Sequence, residues 1–151
     1  MQQGEAPAII LFSEDELIKH SVMTICKSAG VLVFTTDGEE ELDSIIAQCF
    51  LIKTLPILVL DKPGISEGIL TEEKIVSLRR QIRGKYPRLA IIQMSAPQDY
   101  SFTLQAYHDG ARAVLPNPLR GERKGAFIED AIEFLDTFKA QSNGRFSAEE
   151  R

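Results

Sequence analysis

A doubly wound α/β fold, (βα)5 with a five-stranded parallel sheet at the centre of three layers, is predicted by three features of the sequence. Five short apolar runs recur along the chain: "AIILF" (8–12), "VLVFT" (31–35), "PILVL" (56–60), "LAIIQM" (89–94) and "RAVLP" (112–116). Each is rich in branched side chains, lacks clean polar alternation and is bounded by turn formers, as expected of strands buried on both faces of a parallel sheet. The stretches between them carry helical signals, and strands alternating with helices make βαβ units.

The first helix is expected after Ser13, where "SEDE" reads as a capping box with Glu16 returning the bond. Leu17, Ile18, Val22, Ile25, Cys26 and Ala29 then form an apolar stripe that Gly30 stops. The second helix is expected from "DGEEEL", with Asp37 as cap and the glutamates complementing the helix dipole. The third begins near Thr71 and runs through Ile75, Leu78 and Ile82 to Gly84, and the fourth covers about 98–109. The fifth places Phe127, Ile128, Ala131, Ile132, Leu135 and Phe138 on one face. Residues 1–6 read as a flexible N-terminus, 7–140 as one domain and 141–151 as a polar tail or linker.

Composition narrows the function classes. The 151 residues are 44% hydrophobic and 26% charged, an ordinary balance for one globular domain. A net charge of −5 argues against direct nucleic-acid binding, which needs a basic face. The apolar runs are far shorter than a membrane span, and "MQQGEAPA" has no secretory signature, so a cytoplasmic location is expected. Cys26 and Cys49 sit among helical apolar residues without metal-ligand spacing and read as reduced core thiols. His20 and His108 read as helix-surface residues.

Right-handed crossovers bring ligands to the carboxyl ends of the strands in such a sheet. Asp61 ends the third strand, "ILVLD", just before "KPG". Glu14 follows the first strand and Ser95 ends the fourth, so two carboxylates and a hydroxyl fall on one edge. Hard Mg²⁺ is satisfied by one or two carboxylates with waters and phosphate oxygens, and a cation-screened aspartate can accept a phosphoryl group. Taken singly, Asp61 could equally cap the turn before Pro63 and Gly64, and Glu14 could simply complement a helix dipole. No Gly-rich phosphate cradle and no Ser/His/Asp or Cys/His set lies on this edge, so an enzyme is not expected.

Over residues 7–140 the chain resembles the receiver domain of two-component response regulators, the chemotaxis-protein-like type. "AIILFSEDELIKHSV", "TTDGEEEL", "ILVLD", "IIQMSA" and "AYHDGARAVLPNP" stand in the family's order, with 34 residues from Asp61 to Ser95 and 22 from Ser95 to Asn117. The resemblance implies a flavodoxin-like sheet of strand order 2-1-3-4-5 and Asp61 as phosphoacceptor. Ser95 and Asn117 then contact the phosphoryl group, and Glu14, Asp61 and the Pro63 backbone carbonyl hold Mg²⁺. It also implies a histidine kinase or other signalling protein as partner, and a homodimer through the face of helix 4, strand 5 and helix 5.

Several positions depart from the family pattern. Ser13 stands where the first of two acids is expected, Asn117 where a lysine is expected and Val114 where an aromatic switch is expected. Mg²⁺ thereby loses a carboxylate and the phosphoryl group loses a cation. The expected function is an atypical receiver with Asp61 as phosphoacceptor. A phosphorylation-independent pseudo-receiver and a flavodoxin-like small-ligand domain are the alternatives.

Overall fold

The structure, a computed structural model, describes residues 6–52, 54–61, 71–95, 100–116 and 135–141. Five strands, β1 (Ala6–Phe12), β2 (Leu32–Thr36), β3 (Thr54–Asp61), β4 (Ala90–Ser95) and β5 (Ala113–Pro116), alternate with α1 (Glu16–Ser28), α2 (Glu39–Leu51), α3 (Glu72–Lys85) and α4 (Tyr100–His108). A helical segment at 135–141 follows. All strands are parallel in the order β2-β1-β3-β4-β5. The expected architecture is the observed one, with strand ends displaced by one or two residues.

The strands' alternation divides the core in two. Ile9 and Leu11 of β1, with Ile57 and Val59 of β3, pack against Ile18, Val22 and Ile25 of α1 and against Phe138. Ile10, Phe12, Leu58 and Leu60 point the other way, onto Ile46 of α2, Ile75 and Leu78 of α3, and Phe102 of α4. Every residue of β3 and β4 is buried, which is why these strands read as apolar runs rather than alternating ones. Cys26 and Cys49 are free thiols within these two cores, and burial pushes Cys26 up to about 11. Among the described residues no helix is long and apolar enough to cross a membrane.

Two helix starts differ from expectation. Ser13 is not the cap of α1: Asp15 is, accepting from Leu17 N at 2.9 Å and Ile18 N at 3.2 Å. Leu17 consequently lies outside the buried stripe, 62% exposed. At α2 the cap residue is Gly38 rather than Asp37, and it makes no side-chain cap bond. Thr36 serves this turn instead, accepting from Gly38 N at 3.1 Å while its hydroxyl donates to Glu41. The third helix begins where expected, just after Thr71, which caps it by accepting from Lys74 N at 3.2 Å. Of the fifth helix's apolar face, Phe127, Ile128, Ala131 and Ile132 lie outside the described residues.

The turn from α4 into β5 is built by Asp109, Gly110 and Ala111. Asp109 joins a buried ion pair with Arg79, and Ala111 enters the core. Gly110 has φ 97°, in the left-handed region. A Cβ there would also stand 2.5 Å from Arg83 Nε, whose guanidinium donates to the Gly110 carbonyl. Gly110→Ala is therefore expected to destabilise the fold by about 1–3 kcal/mol, read as a lower urea midpoint at unchanged slope.

Candidate functional site

The site is assembled by strand register. Phe12 pairs with Leu60 and Asp61 with Met94, so β1, β3 and β4 finish at one rim. Asp61, the last residue of β3, is 3% exposed. Ser13, the first residue beyond β1, is 1% exposed and donates from Oγ to Asp61 Oδ2 at 2.8 Å. Its backbone N–H is held by Thr36 O at 3.0 Å, and its Oγ accepts from Asp15 N at 3.0 Å. The hydroxyl is therefore fixed from two sides and aimed at the carboxylate, a charge-assisted bond if the acid is ionised. Ser95 closes β4 one residue beyond the partner of Asp61 and is 2% exposed.

Glu14 follows Ser13 directly and is half-buried at the same rim. The first and third strands thus end at one rim, with Glu14 and Asp61 at their exits. Asn117 and Pro63 lie outside the described residues. Among the described residues no three His, Cys, Asp or Glu side chains gather as a metal-binding group. Asp61 and Glu14 are the carboxylate-bearing residues that could hold a cation at this rim, and Ser13 offers a hydroxyl there.

A second polar cluster lies just behind the rim, and sequence reasoning missed it. Gln93 of β4 and Arg79 of α3 are both fully buried. Arg79 Nη1 donates to Gln93 Oε1 at 2.9 Å, and Nη2 donates to Asp109 Oδ2 at 2.8 Å. Asp109 also accepts from Arg80 Nε and Gln105 Nε2, each at 3.2 Å. The Phe102 ring lies under the guanidinium, 5.5 Å from Cζ to its centroid. Gln93 Nε2 donates to Leu60 O at 3.0 Å and to Met94 O at 3.1 Å, the carbonyls just before Asp61 and Ser95. Two signals in the sequence pointed here: one polar residue inside "AIIQMS", and an arginine at helical spacing from Ile75 and Ile82.

At β5, Val114 pairs with Gln93, and its N–H donates to the Tyr107 hydroxyl at 3.2 Å. Tyr107 is 49% exposed, beside Tyr100 at 76% and Leu104 at 69%. These three recur at i, i+4 and i+7 and form one outward stripe of α4. His20 and His108 are exposed, as expected.

Known proteins share this fold. The signal receiver domain of an HD domain-containing protein from Pseudomonas fluorescens Pf-5 superimposes with a TM-score of 0.73 at 15% identity, covering 100% of this chain and 97% of that one. A CheY-like protein (tadZ) from Pseudomonas aeruginosa PAO1 gives a TM-score of 0.64 at 17% identity, covering 90% and 98%. The chain has the fold of a response-regulator receiver domain. In sequence, this receiver-like chain is 28% identical over 134 residues to the DNA-binding transcriptional regulator NtrC of Salmonella typhimurium (strain LT2), which covers 87% of this chain and 25% of that protein. The chain thus spans about a quarter of the length of that curated relative. No family model matches it.

Burial pushes the Asp109 carboxyl up, but the hydrogen bonds from Arg79, Arg80 and Gln105 outweigh it and hold the group below the ordinary 3.8. A depressed carboxylate adds stability above its unfolded value, and that stability is lost as pH falls through the folded one. Asp109→Asn is expected to cost about 3–5 kcal/mol at neutral pH, since it leaves a buried guanidinium without its counter-charge. Its stability should also vary less than the parent's on acidification below pH 3.8. Urea unfolding across that window measures both.

Proposed function

We propose that the chain is an atypical receiver of two-component phosphorelay signalling, with Asp61 as phosphoacceptor and partner binding as output. The observation that carries this reading is the buried Asp61 carboxylate at the carboxyl-end rim of a receiver fold, oriented by the Ser13 hydroxyl at 2.8 Å. An Asp61 oxygen attacks the phosphorus of a kinase phosphohistidine. The P–N bond breaks, the imidazole leaves with the electron pair and takes up a proton, and an acyl phosphate remains on Asp61. Ser95, at the end of the neighbouring strand, offers a hydroxyl to the incoming phosphoryl oxygens, and Asn117 an amide.

Asp61 and Glu14 would hold Mg²⁺, with the Pro63 carbonyl as a third donor. Two carboxylates suffice for a cation that keeps its waters and takes phosphate oxygens. When bound, the ion supplies charge neutralisation of the transferring group. Ser13→Asp would restore a carboxylate beside Asp61. It is expected to raise Mg²⁺ affinity about tenfold or more, measured by calorimetric titration of the parent and the variant.

A phosphorylation-independent reading is favoured by one specific feature. Ser13 neutralises part of the Asp61 charge by a hydrogen bond, which is a role a cation would otherwise fill. In either version the output is contact with a partner rather than turnover. The stripe of Tyr100, Leu104 and Tyr107 on α4 supports a docking face there, for a second copy or another signalling protein.

Incubation with a small acyl phosphate donor and Mg²⁺, followed by intact mass, decides between the versions. The expected result is a gain of one phosphoryl group in the parent chain and none in Asp61→Asn. No gain in the parent, under conditions that label an ordinary receiver, leaves the phosphorylation-independent version.

A further inference from the structure

We propose that the buried Gln93–Arg79–Asp109 cluster is the mechanical link between the Asp61–Ser95 rim and helix α4; the inference rests on the phosphoacceptor reading of Asp61. The Gln93 amide is committed at both ends. Its Nε2 spends both hydrogens on Leu60 O and Met94 O, at 3.0 and 3.1 Å, and its Oε1 accepts from Arg79 Nη1 at 2.9 Å. The two carbonyls belong to the peptides that carry Asp61 and Ser95. A movement of Ser95 toward a group on Asp61 shifts the Met94 carbonyl, so the amide must follow or lose a buried hydrogen bond.

Arg79 is the next member and has little freedom to absorb that shift. It is fully buried, Nη1 is bound to Gln93, and Nη2 is bound to Asp109 at 2.8 Å. Among the described residues its Nε has no hydrogen-bond partner, so the bonds to Gln93 and Asp109 are what hold the guanidinium in place. Two of its other partners belong to α4 and the turn that follows: the Phe102 ring below it, and Asp109, itself tied to Gln105 and Arg80. Displacement of Gln93 is thereby delivered to the helix that carries the exposed Tyr100, Leu104 and Tyr107. By linkage the coupling runs both ways, so a partner seated on α4 also changes the rim.

The test pairs two readouts on the full chain. Phosphoryl uptake is read by intact mass after treatment with an acyl phosphate donor and Mg²⁺, and amide hydrogen exchange is followed over residues 100–112. In the parent, uptake is expected to change exchange there by about tenfold. Gln93→Glu keeps an acceptor for Arg79 but, while ionised, donates to neither carbonyl. It is expected to take up the phosphoryl group while the change over 100–112 falls to about twofold or less.

A double variant, Arg79→Met with Gln93→Leu, removes the link without leaving a buried cation, and Asp109 keeps Arg80 and Gln105. It is expected to behave as Gln93→Glu does, and thermal melts establish that each variant is folded. A folded variant that takes up phosphate and still shows the parent's full change overturns the link. So does a parent that takes up phosphate without any change over 100–112, while the phosphoacceptor reading survives. Absence of a mass gain in the parent removes that reading, and the link with it.

Discussion

Strands β1, β3 and β4 are buried on both faces, and this constraint decides where polar chemistry can be placed. Within such a strand a polar side chain needs a partner inside the protein, because water does not reach it. Polar groups therefore gather where the strands end. Ser13, Asp61 and Ser95 are all nearly inaccessible, yet each sits at a carboxyl end. The parallel register that pairs Phe12 with Leu60 and Asp61 with Met94 then brings those ends to one rim. A slip of one residue in β3 would exchange its two faces, burying Asp61 on the wrong side and setting both cores out of step. The site is held by the same apolar packing that holds the sheet.

Because that packing is apolar and repetitive, the sheet was legible from composition, and so was the placement of Asp61, Glu14 and Ser95 on one edge. What was not legible was competition between local and distant partners. Ser13, with Glu16 three residues on, satisfies the capping-box rule, yet its hydroxyl goes to Asp61, 48 residues away, and Asp15 caps the helix instead. Asp37 satisfies the cap rule for α2, but Thr36 at the end of β2 already reaches the turn. In both places a local rule named the right turn and the wrong side chain. Nothing within four residues of Ser13 could have revealed the partner, because it arrives through strand pairing.

Gln93 and Arg79 show a different kind of illegibility. Their apolar surroundings were visible in the sequence, but a lone polar residue in a strand does not name its partner. Energetically the pair is not an obvious gain. Taking a guanidinium and a carboxylate out of water costs several kcal/mol per ion, more than the roughly 1.5–3 kcal/mol returned by burying one Leu or Ile. Such pairs can often be replaced by well-packed apolar residues without loss. Stability alone therefore does not account for a fully buried arginine at Arg79. Orientation does: hydrogen bonds have direction, and the cluster fixes two carbonyls behind the rim and one turn before β5 at once.

On the proposed reading, a hydroxyl rather than a carboxylate at Ser13 has consequences of opposite sign at rest and in reaction. A carboxylate at that place would stand against Asp61 with like charge, and the buried pair would need a cation or a proton to coexist. The hydroxyl donates to the Asp61 carboxyl instead, so no like charge from residue 13 stands against it. In the proposed phosphoryl transfer the same hydrogen bond would withdraw electron density from the attacking carboxylate, and Ser13 would supply no ligand charge to a cation. On the proposed reading, a hydroxyl at Ser13 thus favours a state that is stable unphosphorylated and slow to leave it, which would suit a module whose partner reads the fold itself.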